Sequence, residues 1–308
     1  MKDFIEIADF SSEQLSALLD RAIADKQLYR SGRLQPSLKR KCLAMIFEKP
    51  SLRTRVSFES AMVHLGGHAL HLTQADIGLG TREAVQDIAR VLGRMCNGIM
   101  ARTFSHEMVR QLAEHAAVPV INALTDYSHP CQAMADVMTA REHFGELAGL
   151  TLAFVGDGNN VARSLASACA KFGMSFVLAS PPDYKLDQPF VDSLPAGVFR
   201  WTADAAEAVA AADVVYTDTW VSMGQEKEKQ LRVKAFEGFQ INARLMSAAK
   251  KRAVVMHCLP AYRGYEITDE VFEAHAETIM EEAENRLHFQ RTLLAVLIGE
   301  GGIPSGDK

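Results

Sequence analysis

A chain of 308 residues is long enough for two domains of about 150 residues each, with room for a large core and a cleft between lobes. Its 33 Lys and Arg against 38 Asp and Glu leave a formal charge of −5. That argues against a bulk nucleic-acid binder and leaves open a local cluster of donors around a small anion. With 48% hydrophobic and 23% charged residues, the composition is globular and excludes a disordered chain.

Taken in chain order, Ser-Ser-Glu opens a helix over 11–29, with apolar spacing through Leu15, Leu18, Leu19 and Ala22. Residues 42–47 (CLAMIF) predict a short buried strand, 53–65 a helix ended by Gly66 and Gly67, and 68–72 a second strand. A helix over 82–95, a strand over 98–101, a helix over 108–115 and a strand over 118–123 continue the alternation. Residues 130–144 form a long segment of good helix formers, suited to connect two lobes. A second alternation follows, with strands over 150–155, 175–179, 214–217 and 253–257 and helices over 160–171 and 205–211. A terminal helix over 285–298 is expected to pack back on the first lobe. The expected fold is α/β: two lobes, each a parallel sheet flanked by helices, joined by connecting helices. The expected boundaries are 1–140 with 285–308 for one domain and 141–284 for the other.

Cys42, Cys96, Cys131, Cys169 and Cys258 are scattered, odd in number and without a C-x-x-C pair. Neither a disulfide framework nor a structural zinc site is therefore expected. The N-terminus is acidic at its third residue and lacks an apolar h-region, and no run approaches the ~18 apolar residues of a membrane span. The expected setting is the reducing cytoplasm, without membrane or nucleic-acid partners.

Five segments can carry chemistry. Ser51-Leu-Arg-Thr-Arg55 lies between a strand and a helix, where unpaired N–H groups, hydroxyls and guanidinium groups suit a phosphate; a capped helix with solvated arginines is the competing reading. It is not a G-x-x-x-x-G-K-[ST] loop. His129-Pro-Cys-Gln132 fixes an imidazole rigidly before a helix, with Gln132 one turn on. Val155-Gly-Asp-Gly-Asn-Asn-Val161 is a glycine-rich turn after a strand, but Val161 replaces the third glycine of a dinucleotide fingerprint. The next strand also ends without the acidic residue that would hold a ribose. What remains is a tight turn that puts Asn160 at the carboxyl edge of a sheet. Asp218-Thr-Trp-Val-Ser222-Met-Gly224 offers a carboxylate and a hydroxyl for an ammonium group, or an ordinary Asp-stabilised turn. In His257-Cys-Leu-Pro260 a strand-end cysteine is aimed at a cleft, against the default of a buried inert thiol.

Together, and in this order, these segments resemble the aspartate/ornithine carbamoyltransferase superfamily on its ornithine branch, over essentially the whole chain. Ser51–Arg55 is similar to that family's S-T-R-T-R carbamoyl-phosphate motif. Met100-Ala-Arg102-Thr-Phe, His129–Gln132 and His257–Pro260 match further signatures, and 218–224 resembles its D-x-x-x-S-M-G ornithine loop. The resemblance implies transfer of a carbamoyl group from carbamoyl phosphate to L-ornithine, giving L-citrulline and phosphate. Ser51, the amide of Leu52, Arg53 and Thr54 would hold the phosphate, Arg102 would reach phosphate and carbonyl oxygen together, and His129 and Arg286 would serve that carbonyl. Gln132 and the carbonyls of Cys258 and Leu259 would fix the carbamoyl amide. Asn160 and the Met223 backbone would take the ornithine carboxylate, and Asp218 and Ser222 its α-amino group. Cys258 would sit near the side-chain amine, where its thiolate or the departing phosphate could take a proton. No metal or other cofactor is implied, and a homotrimer is.

Two departures stand out. Leu52 replaces a threonine of the motif, so weaker carbamoyl-phosphate affinity is expected, and Gly78 lacks the side chain that related enzymes extend toward a neighbouring subunit. The competing readings are a carbamoyltransferase for an N-acylated ornithine, a nicotinamide-dependent oxidoreductase and a silent scaffold. Acylation would strip Asp218 of its cation, the dinucleotide fingerprint is incomplete, and a scaffold has no need of Arg53, Arg102, His129, Gln132 and Cys258 together.

Overall fold

The structure, a computed structural model, describes residues 2–222 and 224–303. The chain divides into two compact units, Met1–Met138 with Glu284–Lys308, and Thr139–Ala283. It leaves the first unit within the helix Pro130–Phe144 and returns within the helix Ala276–Leu294, so both crossings are helical. Among the described residues, no helix is long and apolar enough to cross a membrane.

The first unit holds β1 (Cys42–Phe47), β2 (His68–Thr73), β3 (Gly98–Arg102) and β4 (Val120–Leu124). They form one parallel sheet in the order β2-β1-β3-β4. The central strands β1 and β3 are continuous apolar runs because helices cover both faces, as parallel sheets require. Ala44 and Ile46 of β1 and Ile99 and Ala101 of β3 pack with Val85, Ile88 and Ala89 of one helix and Val109 and Leu112 of the next. The edge strand β2 is more exposed throughout. Beyond β4, Phe4 extends the sheet: its N–H donates to the Val120 carbonyl (2.9 Å), and its own carbonyl accepts from Asn122 (2.8 Å). The returning chain joins this core through Phe289, whose ring lies 5.8 Å from that of Phe4.

The second unit holds β5 (Thr151–Val155), β6 (Ser175–Ala179), β7 (Phe199–Thr202), β8 (Val214–Thr217) and β9 (Val254–His257), parallel in the order β7-β6-β5-β8-β9. Val155, Val177, Val215 and Val255 share its core with Trp220 and Phe236, whose rings stack 5.6 Å apart.

Parallel pairing sends every strand's carboxyl end to one edge of its sheet. Phe47 of β1 lies opposite Arg102 of β3, and Thr217 of β8 opposite His257 of β9. In both sheets the chain reverses its direction of travel next to the first strand, between β1 and β3 and between β5 and β8. Those switch points open the crevices in which α/β proteins bind ligands.

The two parallel sheets and the connecting helices agree with the fold expected from sequence. The differences are local. β7 escapes a sequence reading because Phe199-Arg-Trp-Thr is short and sits half exposed at a sheet edge. The helix expected over 82–95 starts at Val85, because Gly78 and Gly80 turn left-handed (φ 60° and 68°) and bend the chain before it. The terminal helix expected over 285–298 runs from Ala276 to Leu294 and ends in a π-helical turn, Ala295–Gly299.

Gly158 shows what the glycine-rich turn is for. A Cβ there would lie 2.6 Å from both the Leu186 nitrogen and the Lys185 carbonyl carbon, so the chain's own backbone fills the space a pyrophosphate would need. Gly158→Ala is expected to destabilise the second unit by about 1–3 kcal/mol, measured by urea denaturation.

Candidate active site

In the first unit the donors gather where β1, β3 and β4 end. Ser51 caps the helix Leu52–His64: its hydroxyl accepts from the Thr54 N–H (3.3 Å) and donates to the Thr54 hydroxyl oxygen (3.1 Å). Thr54 Oγ1, fully buried, also accepts from Arg286 Nη2 at 2.8 Å. Arg53 follows on the same first turn, so its guanidinium adds to the positive end of the helix dipole. Leu52 presents its amide to that turn while its side chain is 74% exposed. The lost hydroxyl of this position would therefore have belonged to a surface side chain.

Arg102 closes β3, and the Glu48 N–H donates to its carbonyl (2.9 Å), tying the exits of β1 and β3 together. His129 stands before the helix Pro130–Phe144, and its carbonyl accepts from Gln132 and Ala133 N–H (both 3.2 Å). Burial holds the His129 imidazole well below its usual pKa, and the positive fields of Arg286, Arg102 and Arg53 add to the effect. The ring is neutral at pH 7 and still carries one N–H to donate. Gln132, fully buried, gives its amide nitrogen to Asp136 Oδ1 (2.7 Å), so its oxygen is what it can offer an amide. Burial pushes the neighbouring Cys131 thiol up to about 12, which marks it as a packing residue.

In the second unit the corresponding edge carries Asp218, 8% exposed. Its Oδ1 accepts from Thr219 N–H (2.7 Å) and from the Cys258 thiol (3.0 Å), and its Oδ2 accepts from Asn159 Nδ2 (2.8 Å). The Cys258 sulfur is thus placed against a carboxylate, in the geometry of a thiol donating to it. Asn160 begins the helix Asn160–Lys171, and the Ser222 N–H donates to Gln225 Oε1 (3.1 Å) at the start of its loop. Leu259 adopts a left-handed backbone, φ 59°. Met223 lies outside the described residues.

Of the residues singled out in the sequence, the structure places Ser51, Arg53, Thr54, Arg102, His129 and Arg286 in one unit and brings Asp218 and Cys258 into contact. It missed three residues. Asn159 caps the helix with its oxygen, accepting from Val161 and Ala162 N–H, while its nitrogen holds Asp218. Its signal was the doubled Asn159-Asn160, of which only the second was singled out. Lys49, 4% exposed, ion-pairs with Asp126 and lies over the Phe104 ring, fastening the 48–51 loop to the turn before His129. Arg232 donates to Asp157 Oδ2 (2.7 Å) and the Trp220 carbonyl (3.2 Å), bracing the turn after β5 against the loop after β8. Both are lone cations without a local motif.

Among the described residues Asp218, His257 and Cys258 offer ligand atoms within 4.8 Å of one another. Each of those atoms already serves an internal hydrogen bond: the two above, and the His257 ring to Leu259 N–H and Glu266.

Paired parallel α/β units with guanidinium groups and a neutral imidazole at one strand edge, and a carboxylate with a thiol at the other, define a transferase class that handles an oxyanion and an amine. Residues 2–142 match the aspartate/ornithine carbamoyltransferase carbamoyl-phosphate binding domain, and 148–297 the Asp/Orn binding domain of the same family. An ornithine carbamoyltransferase of Carboxydothermus hydrogenoformans is 50% identical over 97% of this chain and 98% of its own. The Pyrococcus furiosus ornithine carbamoyltransferase structure superposes with TM-score 0.93 at 45% identity, covering 100% of this chain and 98% of that one. The anabolic enzyme of Campylobacter jejuni gives 0.89 at 42%, over 96% and 98%. The chain belongs to the aspartate/ornithine carbamoyltransferase family.

The depressed His129 has a thermodynamic signature. The unfolded ring protonates near pH 6.5 and the folded one only at much lower pH, so the unfolded chain binds the extra proton on acidification. Its contribution to stability is complete above pH 6.5 and is lost below it at about 1.4 kcal/mol per pH unit, until the folded ring protonates. Burial also depresses His64, His275 and His288, so urea unfolding between pH 7.5 and 5 is expected to show a summed slope of this sign that is smaller in His129→Gln by that one group's share.

Proposed function

We propose that the chain is an ornithine carbamoyltransferase of arginine metabolism, acting in the cytoplasm on carbamoyl phosphate and L-ornithine. The observation that carries this reading is that one unit holds a guanidinium-flanked neutral His129 and the other holds the Asp218–Cys258 pair. Relatives named for this activity, 46–50% identical over nearly full length, support it.

The domain over 1–140 with 285–308 takes carbamoyl phosphate. The Leu52 amide, Ser51, Arg53 and Thr54 hold the phosphate; Arg102, His129 and Arg286 attend the carbonyl oxygen, and Gln132 the amide. The domain over 141–284 takes ornithine: Asn160 and the Met223 backbone bind its carboxylate, Asp218 and Ser222 its α-ammonium. The carbonyls of Cys258 and Leu259, with the Cys258 thiol, attend the reacting nitrogen atoms.

The side-chain amine must be neutral to attack, and removal from water favours that form. As its lone pair joins the carbamoyl carbon, negative charge grows on the carbonyl oxygen, where fixed cationic donors and the N–H of a neutral imidazole stabilise it. The carbon–oxygen bond to phosphate then breaks. The departing phosphate, or a Cys258 thiolate, accepts the amine proton. An N-acylated ornithine would bring no charge to Asp218, a carboxylate buried for a cation.

Incubation with carbamoyl phosphate and ornithine is expected to yield citrulline and phosphate in equal amounts, and acetylornithine little of either. The reverse preference would refute the assignment of Asp218. Arg102→Gln is expected to lower kcat about 10²–10³-fold, the usual effect of losing one oxyanion donor.

The homotrimer is supported by an apolar stripe on the helix Leu52–His64, where Leu52, Val56 and Val63 are 74%, 52% and 69% exposed on one face. Light scattering is expected to give three copies of the 33.8 kDa chain for the wild type and a smaller species for Val63→Glu.

A further inference from the structure

The cysteines are scattered along the sequence, but the fold brings two of them together at the strand ends away from the proposed chemistry. Cys42 opens β1 and is half-buried, and Cys96, 6% exposed, follows the helix Val85–Met95 just ahead of β3. Their backbones are clamped: the Asn97 N–H donates to the Cys42 carbonyl (2.8 Å), and the Cys42 N–H donates to Asn97 Oδ1 (3.0 Å). Leu43 then lies opposite Gly98 as β1 and β3 begin to pair. Both side chains share one apolar cluster, Cys96 within it and Cys42 packed against it. Burial pushes the Cys96 thiol up to about 11, and the charge and hydrogen bond of the adjoining Cys42 thiol add to the shift. The other three thiols keep different company: Cys131 meets the Asn122 carbonyl (3.5 Å), Cys258 meets Asp218 (3.0 Å), and Cys169 is fully buried.

We infer that Cys42 and Cys96 are a modification site, a thiol pair that a peroxide converts to a reversible disulfide at the amino end of the first sheet. The inference is independent of the reaction assigned above. A disulfide bridges α-carbons about 4.4–6.8 Å apart, and adjacent strands run about 4.8 Å apart, so the bond suits β1 and β3 as they lie. Half-buried Cys42 is the thiol that a small oxidant reaches first, since oxidation follows exposure as well as ionisation. Its thiolate attacks one peroxide oxygen, leaving a sulfenic acid at Cys42 and a hydroxide. That hydroxide takes the Cys96 proton, and the Cys96 sulfur attacks the Cys42 sulfur. The sulfur–sulfur bond forms as the sulfur–oxygen bond breaks, and the released hydroxide takes up the proton that Cys42 first gave. The two thiols lose two electrons and the peroxide becomes two waters. The bond closes residues 42–96, with the Ser51–Arg55 turn between them, into one covalent loop, which restricts the unfolded chain. Under reducing conditions the pair rests as thiols.

The test is oxidation of the folded chain by a small excess of hydrogen peroxide, with free thiols then alkylated under denaturing conditions. Alkylated thiols are expected to fall from five to three. The mass before alkylation is expected to drop by about 2 Da, the two hydrogens removed. Peptide mapping is expected to show one cross-link, between the peptides holding Cys42 and Cys96, that dithiothreitol removes. The thermal midpoint of the oxidised chain is expected to rise by about 5 °C and to fall back on reduction. Cys42→Ser and Cys96→Ser are each expected to lose the cross-link and the rise. Cys42 oxidised beyond the sulfenic acid while Cys96 stays free overturns the inference, as does a cross-link that lowers the midpoint, the mark of a pair joined only after distortion. Should a serine variant not fold, the peptide map and midpoint of the wild type decide it. A wild type that cross-links as expected but forms no citrulline defeats the functional reading and leaves the thiol pair standing.

Discussion

Holding three guanidinium groups around one uncharged imidazole is the constraint on which the first unit turns. Like charges a few ångströms apart repel by about 1–4 kcal/mol per pair at an effective dielectric near 20. They also deny His129 a second proton. The fold tolerates this because the groups arrive on rigid, separately stabilised elements: Arg102 on a buried strand, Arg53 on a capped first turn, Arg286 on a long helix and bonded to Thr54. Since Arg286 reaches Thr54 from 232 residues away, this cluster of donors depends on the returning chain as much as on β1.

The second unit holds a buried carboxylate in a fixed direction in a mostly apolar setting. Asp218 has three donors, a backbone N–H, an amide and a thiol. Asn159 contributes one of them with its nitrogen while its oxygen caps a helix, so a single side chain links the helix start to the carboxylate. The contact with Asp218 gives the Cys258 sulfur a defined direction at the strand end.

Much of this was legible in the residues. Runs such as CLAMIF and GIMA are apolar without alternation, the pattern of strands in a sheet covered on both faces. Capping hydroxyls and strand-end arginines were equally visible, because their chemistry is local. What escaped was decided by tertiary context. Phe199–Thr202 is a strand only because β6 lies beside it, and the glycines at 78 and 80 act through φ, which composition does not display. Lys49, Arg232 and Glu266 are ordinary charged residues until their partners at 126, 157 and 257 are known. The paired glycines before Asn159 invited a nucleotide reading, and only the backbone of 185–186 pressed against Gly158 shows why the small residue is there.

Parallel pairing also has an operational side. With the chemistry gathered at the carboxyl ends of the strands, the turns that enter β5 and β7 from the amino ends carry none of it. Gly149 and Gly197, which stand in these turns, have open space where a side chain would project, although both adopt positive φ. Fluorophores, affinity handles or new chain termini can be engineered there, where the reporting group stays remote from the reacting atoms.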